Sequence, residues 1–234
     1  MVREWAAANL RERLVENYYP GRGIVIGRGP DGEWIQVYWI MGRSDHSRNR
    51  FFVGDGDLLR TEAADPSKVE DPSLIIYNAM RVCGRRYIVS NGVQTDDIYD
   101  GFAAGRGFAE SLAGWLHEPD APNYTPRISG YADLAAAEAW LSILVASPFD
   151  PERSERHFFR FDCIEPGYGY AITTYAGDGD PLPSFAGTPY LLSLDDPAGL
   201  WDALDAENKI SFAVRRIAGD GGFETQIINR YEAV

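Results

Sequence analysis

Short apolar and aromatic runs, bounded by glycine, proline and aspartate, recur along this chain in the pattern of strands joined by turns. Gly23-Ile-Val-Ile-Gly27 and Trp34-Ile-Gln-Val-Tyr-Trp-Ile-Met41 predict two strands. The intervening Arg28-Gly-Pro-Asp-Gly-Glu33 is turn chemistry, so the two form a hairpin. Further strands are predicted at 51–54, 58–62, 73–81 and 86–91. Residues 3–16 read as an opening helix, although Trp5, Ala8, Leu10, Leu14 and Val15 are only roughly at helical spacing. Residues 96–116 read as a second helix through Ile98, Phe102, Phe108, Leu112 and Leu116. A loop with Pro119, Pro122 and Pro126 follows, and 131–146 is ambiguous. Its alanines favour helix, whereas Trp140-Leu-Ser-Ile-Leu-Val145 suits a buried strand. Runs 157–164 and 168–175 predict a hairpin around Pro166-Gly167, with Cys163 in a core position on its first strand. Asp196 caps a helix over 197–206 with proline at its first position. Runs 210–217 and 223–231 close the chain as a hairpin around Asp220-Gly-Gly. Many antiparallel strands with a few helices predict a layered α+β domain. No repeat, low-complexity tract or linker divides it, so residues 1–234 are expected to form one domain.

Composition narrows the class of protein. The chain has 234 residues, 45% of them hydrophobic, enough for a core without disulfide staples. Two cysteines, Cys83 and Cys163, are too few for a secreted scaffold. Charged residues throughout 1–17 exclude a secretory leader, and no apolar run reaches the roughly 18 residues of a membrane helix. A cytoplasmic protein is expected. The net charge of −13 argues against nucleic-acid or anionic-membrane partners, which need a broad positive field. Yet Arg22, Arg28, Arg43, Arg48 and Arg50 face only Asp31, Glu33 and Asp45 between Tyr18 and Arg50. Such a basic island selects a compact anion without attracting polyanions. A set of solvated arginines fits the same charges.

Several motifs lead nowhere. Gly27-Arg-Gly-Pro-Asp-Gly32 matches a dinucleotide fingerprint in letters, but a strand follows it where that fingerprint opens a helix. His46, His117 and His157 lack metal-ligand spacing, so no metal is expected. Asp55-Gly-Asp57 and Asp178-Gly-Asp180 read as turns.

Four segments carry polar groups that strands and loops do not themselves require. Tyr18-Tyr-Pro-Gly-Arg-Gly23 sets an arginine between glycines at the mouth of a strand. There the backbone can approach a ligand while the guanidinium forks onto paired oxygens. Gly42-Arg-Ser-Asp-His-Ser-Arg-Asn-Arg50 is an anion-cradle candidate. Tyr77-Asn78 and Ser90-Asn91 end apolar runs, and Asn123-Tyr-Thr-Pro-Arg-Ile128 joins an aromatic ring to an arginine.

In order and spacing these segments resemble the stand-alone, archaeal-type IMP cyclohydrolase family. The resemblance rests on Tyr-x-Gly-Arg (19–22), Arg-Ser-x-x-x-Arg-Asn-Arg (43–50), Tyr-Asn (77–78), Val-Ser-Asn-Gly-x-x-Thr-Asp (89–96) and Thr-Pro-Arg-Ile (125–128). It covers roughly residues 18–130. The amino-terminal 17 residues and the Asn-Arg spacing near Arg50 depart from the shorter archaeal form. The resemblance implies a four-layer αββα sandwich like that of N-terminal-nucleophile hydrolases, and it tips 131–146 toward strand. It implies closure of the purine ring of 5-formamidoimidazole-4-carboxamide ribotide to inosine monophosphate and water, without metal or organic cofactor. By that resemblance Arg22, Arg43 and Arg50 anchor substrate and phosphate. Ser44, Asn49, Asn78, Ser90 and Asn91 orient the carboxamide and formyl groups. Tyr77 donates a proton or stacks on the imidazole, Asp96 and Glu118 compete as the acid/base carboxylate, and Arg127 closes the site. A nucleotide-binding protein without turnover, or an amidohydrolase of the same fold, is also compatible with these residues. Homo-oligomerisation stays open.

Overall fold

A computed structural model describes residues 1–69, 72 and 75–232. The chain enters through helix α1 (Val2–Leu10), continued by a π-helical turn over Arg11–Val15. Strands β1 (Gly23–Arg28) and β2 (Trp34–Met41) then pair antiparallel, as their turn chemistry requires. A four-residue helix α2 (Asp45–Arg48) leads into β3 (Phe51–Asp55) and β4 (Leu58–Glu62). Strands β5 (Asn78–Cys83) and β6 (Arg86–Ser90) precede helices α3 (Gln94–Ala103) and α4 (Phe108–Ser111). The ambiguous alanine-rich stretch is a hairpin of β7 (Arg127–Asp133) and β8 (Glu138–Ala146). The chain ends with β9 (Ser154–Phe161), β10 (Tyr168–Thr173), β11 (Tyr190–Ser193), a short helix α5 (Leu200–Ala203), β12 (Lys209–Ile217) and β13 (Phe223–Asn229).

These strands make an α+β protein with two antiparallel sheets, ordered β11-β10-β1-β2-β12-β13 and β3-β4-β5-β6-β7-β8-β9. The sheets meet through β1 and β2 on one side and β6, β7 and β8 on the other. Alternation sorts the second sheet's side chains. Tyr87, Val89, Ile128, Leu141 and Ile143 join the main core, whereas Ile88, Tyr131 and Leu144 pack under Ile98, Phe102, Phe108 and Leu112 of the α3–α4 segment. Helix α1 lies against β11, and Leu14 is fully buried in the main core.

Five expectations need correction. The 157–164 and 168–175 runs do not pair: β9 is an edge strand of the second sheet beside β8, while β10 pairs with β1 and β11 in the first. Turn residues at Pro166-Gly167 suited a hairpin, but the chain crosses there between sheets. Cys163 is exposed beyond the end of β9, not in the core. The predicted 96–116 helix breaks at Ala104–Gly107, where Gly105 adopts a positive φ of 78°. The helix over 197–206 contracts to α5, with Asp196 still accepting from Gly199 N at 3.2 Å. Of the strand expected over 73–81, residues 73 and 74 lie outside the described residues, and pairing begins at Asn78.

Candidate active site

Strand ends of both sheets converge at one end of the molecule. Gly23 at the start of β1 lies opposite Trp39 of β2 and Thr173 of β10. The entry to β1, the exit of β2 and the exit of β10 therefore meet. In the second sheet Ser90, ending β6, lies opposite Ser129 of β7, which makes Asn91 a neighbour of the β7 entry. Gly21 permits the tight entry. Its φ is +72°, and a Cβ there would collide with Thr174 Oγ1 and the Tyr175 ring.

Between these ends lies a cavity of about 280 Å³, close to the ~300 Å³ at which small-ligand sites begin. One wall comes from the β2 exit: Arg43, Ser44, His46, Ser47 and Arg50. Here Ser44 caps α2, its Oγ accepting from Ser47 N at 3.1 Å while Ser47 Oγ accepts from Ser44 N at 3.0 Å. Arg50 Nε donates to Ser47 O at 3.0 Å. Tyr19 forms the floor. Burial raises its hydroxyl pKa, against the fields of Arg50, Arg22, Arg43 and Arg48. The Arg43 guanidinium stands 5.0 Å over the Tyr19 ring and pairs with Asp178 on the loop after β10.

The opposite wall comes from Arg22, Glu118, Asp120, Thr125 and Tyr175. Arg22 forks onto Glu118 through two bonds of 2.9 Å and donates to Asn91 O at 3.0 Å, stitching the first sheet to the second. Both partners are about 7% exposed or less. Burial works against the Arg22 charge, yet Glu118 outweighs it and holds the guanidinium pKa well above its ordinary value. Arg127 Nη1 lies 3.8 Å from the same carboxylate, so Glu118 answers two buried cations. Asp120 Oδ1 accepts from Thr125 N at 2.7 Å, and its other oxygen accepts from Thr125 Oγ1, which also contacts the Tyr175 hydroxyl. Burial raises the Asp120 pKa, partly offset by the Thr125 bonds.

The expected site residues divide into three sets. Arg22, Arg43, Ser44, Arg50 and Glu118 line the cavity. Tyr77, Asn91 and Arg127 stand directly behind that wall. Tyr77 shares a 2.6 Å hydroxyl contact with Tyr38 beside Arg22, and Arg127 Nη1 donates to Gln94 Oε1 at 3.1 Å. Asn91 Oδ1 accepts from Ile128 N and Gln94 Nε2, so its side chain is occupied by structural bonds. The remaining four lie elsewhere. Asn78 follows Tyr77 by one residue, so alternation turns it to the α3 side. There it binds Asp96 at 2.9 Å, and Asp96 also pairs with Arg81. Asn49 clasps Asp65 through two backbone bonds, and Ser90 meets Thr95. Sequence reasoning missed Asp120, Tyr175 and Tyr19 as lining residues and read Asp178 as a turn. Asp120 sits two residues after Glu118 in the same proline loop, the only sequence signal it offered. His117 bonds Ser154 Oγ at 2.8 Å and His157 pairs with Glu155. Among the described residues no group of three His, Cys, Asp or Glu is placed to hold a metal.

Residues 19–221 match the family model for IMP cyclohydrolase-like protein. A curated IMP cyclohydrolase of Methanopyrus kandleri is 30% identical over 71% of this chain and 79% of its own length. Those of Methanothrix thermoacetophila and Haloquadratum walsbyi are 34% and 32% identical. The first match spans 69% of this chain and 76% of that relative; the second spans 48% and 55%. The chain belongs to the IMP cyclohydrolase-like protein family.

Proposed function

We propose that this protein is an IMP cyclohydrolase, closing the purine ring of 5-formamidoimidazole-4-carboxamide ribotide to give inosine monophosphate and water. One observation carries the reading beyond family membership. One cavity has Arg43, Arg50, Ser44 and Ser47 on one wall, and Glu118, Asp120, Thr125 and Tyr175 with the Glu118-bound Arg22 on the other. A mononucleotide with an anionic phosphate and a proton-exchanging base fits that polarity.

The carboxamide nitrogen attacks the formyl carbon of its own molecule, so covalent connection already removes much of the entropic barrier. What the protein adds is a reactive rotamer, proton transfer and stabilisation of the oxygen that gains charge. Arg43, Arg50 and Ser44 suit the phosphate end, where guanidinium forks match phosphate oxygens. Arg22, held rigid by Glu118, suits the developing oxyanion, and Arg127 and Tyr77 support that pair from behind. The chemistry requires no metal. We also read residues 1–234 as one domain, with 1–17 as an integral amino-terminal extension, and the layers as an αββα sandwich. The α3–α4 cover on the second sheet and α1 against β11 support the latter. No described helix is long and apolar enough to cross a membrane.

The test is ring closure of the formylated ribotide by purified protein, followed by ultraviolet absorbance with and without chelator. Turnover at equal rates in both is expected. Binding of inosine monophosphate without ring closure would instead make this a nucleotide-binding protein. Release of a carboxylate from an acyclic amide would make it an amidohydrolase.

A further inference from the structure

We propose that Asp120, Thr125 and Tyr175 form the proton relay of this ring closure, with Tyr175 receiving the proton from substrate nitrogen and Asp120 returning one to the departing oxygen. The inference deepens the cyclohydrolase reading and rests on it. Asp120, Thr125 and Tyr175 all line the cavity, and the Thr125 hydroxyl bridges the other two.

Hydrogen-bond valence sets the polarity of the chain. Ionised Asp120 is acceptor-only, so the single Thr125 hydroxyl proton points to it. Thr125 Oγ1 must then accept from the Tyr175 hydroxyl, leaving a lone pair of Tyr175 Oη for a donor in the cavity. A proton entering at Tyr175 displaces the tyrosine proton to Thr125 and the threonine proton to Asp120. Asp120 becomes neutral at the other end of the same wall. Burial favours that neutral form and the neighbouring Glu118 charge adds to it, against the Thr125 hydrogen bonds and the Arg22 field.

Ring closure needs this passage twice. First the carboxamide nitrogen bonds the formyl carbon and loses one proton to Tyr175, while Asp120 protonates the formyl oxygen to a hydroxyl. After the hydroxyls rotate back, the former formamide nitrogen loses its proton along the same route. The carbon–oxygen bond breaks as Asp120 delivers the second proton, and water leaves. Each passage returns the protein to its starting charge.

Asp120 also clasps its own loop through Thr125 N, so the test must separate relay from clasp. Asp120→Asn keeps one carbonyl acceptor, enough for the Thr125 amide that clasps the loop, but cannot carry the proton. Thr125→Val cuts the wire, and Thr125→Ser restores it. Loss of general acid–base transfer is typically 10²–10⁴-fold. Asp120→Asn and Thr125→Val should therefore lower kcat by about 10²-fold or more with KM changed less than about threefold, while Thr125→Ser recovers most of the rate. Wild-type turnover with Thr125→Val equally active overturns the relay alone. So does a loss appearing in KM and melting temperature but not in kcat. An inactive wild type that binds inosine monophosphate overturns the cyclohydrolase reading and the relay with it.

Discussion

Replacing Glu118 by glutamine tests how this cavity wall is held. The substitution is nearly isosteric, but it removes the carboxylate charge that lies 2.9 Å from Arg22 and 3.8 Å from Arg127. Both arginine side chains are below 10% exposed, so neither charge gains compensation from water. Removing one partner of a buried pair costs about 3–5 kcal/mol. For a chain of this length each kcal/mol moves the melting temperature by roughly 2–4 °C, so Glu118→Gln should melt about 6–20 °C below wild type. The double variant Arg22→Met/Glu118→Leu should recover part of that loss, since a buried pair replaced by apolar groups is often neutral. Recovery will be incomplete because Asn91 O loses its donor, at about 1–3 kcal/mol. Urea unfolding of Arg22→Met, Glu118→Leu and the double measures the coupling. A single variant within about 1 kcal/mol of wild type, or strictly additive effects, would refute a buried, mutually dependent pair.

Other outcomes follow from the same geometry. Arg43→Ala should raise KM and lower kcat/KM sharply in steady-state kinetics, because it removes a guanidinium from the phosphate wall; unchanged kinetics would remove Arg43 from the site. Asp178→Ala frees Arg43 from a half-exposed ion pair worth about 0.2–1 kcal/mol, so KM should fall by up to about fivefold. Asn78→Ala and Asp96→Asn should leave kcat and KM near wild type while lowering the melting temperature, since the two bond each other on the α3 side. For Asp133, burial pushes the pKa up, but Arg86 and the Ala135 and Ala136 amides outweigh it, and the net shift is downward. Its contribution to stability is therefore present above the ordinary value near 3.8 and lost as pH falls through the lower folded value. Urea melts of Asp133→Asn should show a flatter pH dependence below pH 4 than wild type.

The strand pattern was legible where local chemistry agrees with pairing: β1–β2 and β12–β13 form as their turns and apolar runs predict. It failed where pairing is decided at long range. Nothing local to Pro166-Gly167 says that β9 and β10 belong to different sheets. The arginine island was likewise readable, because charge density survives folding as a property of one loop and one strand entry. Which strand-end polar residues face the cavity was not readable, because one step past Tyr77 carries Asn78 to the α3 side. Asp120 and Tyr175 lie 55 positions apart in sequence and are bridged by Thr125.

The central claim is that nucleotide occupies the cavity between the strand ends, and a crystal structure with inosine monophosphate bound tests it directly. The phosphate should lie within hydrogen-bond distance of Arg43 or Arg50, with the base beside Asp120 and Tyr175. Nucleotide bound on another face, or a phosphate turned toward Glu118 and Asp120, would contradict the account.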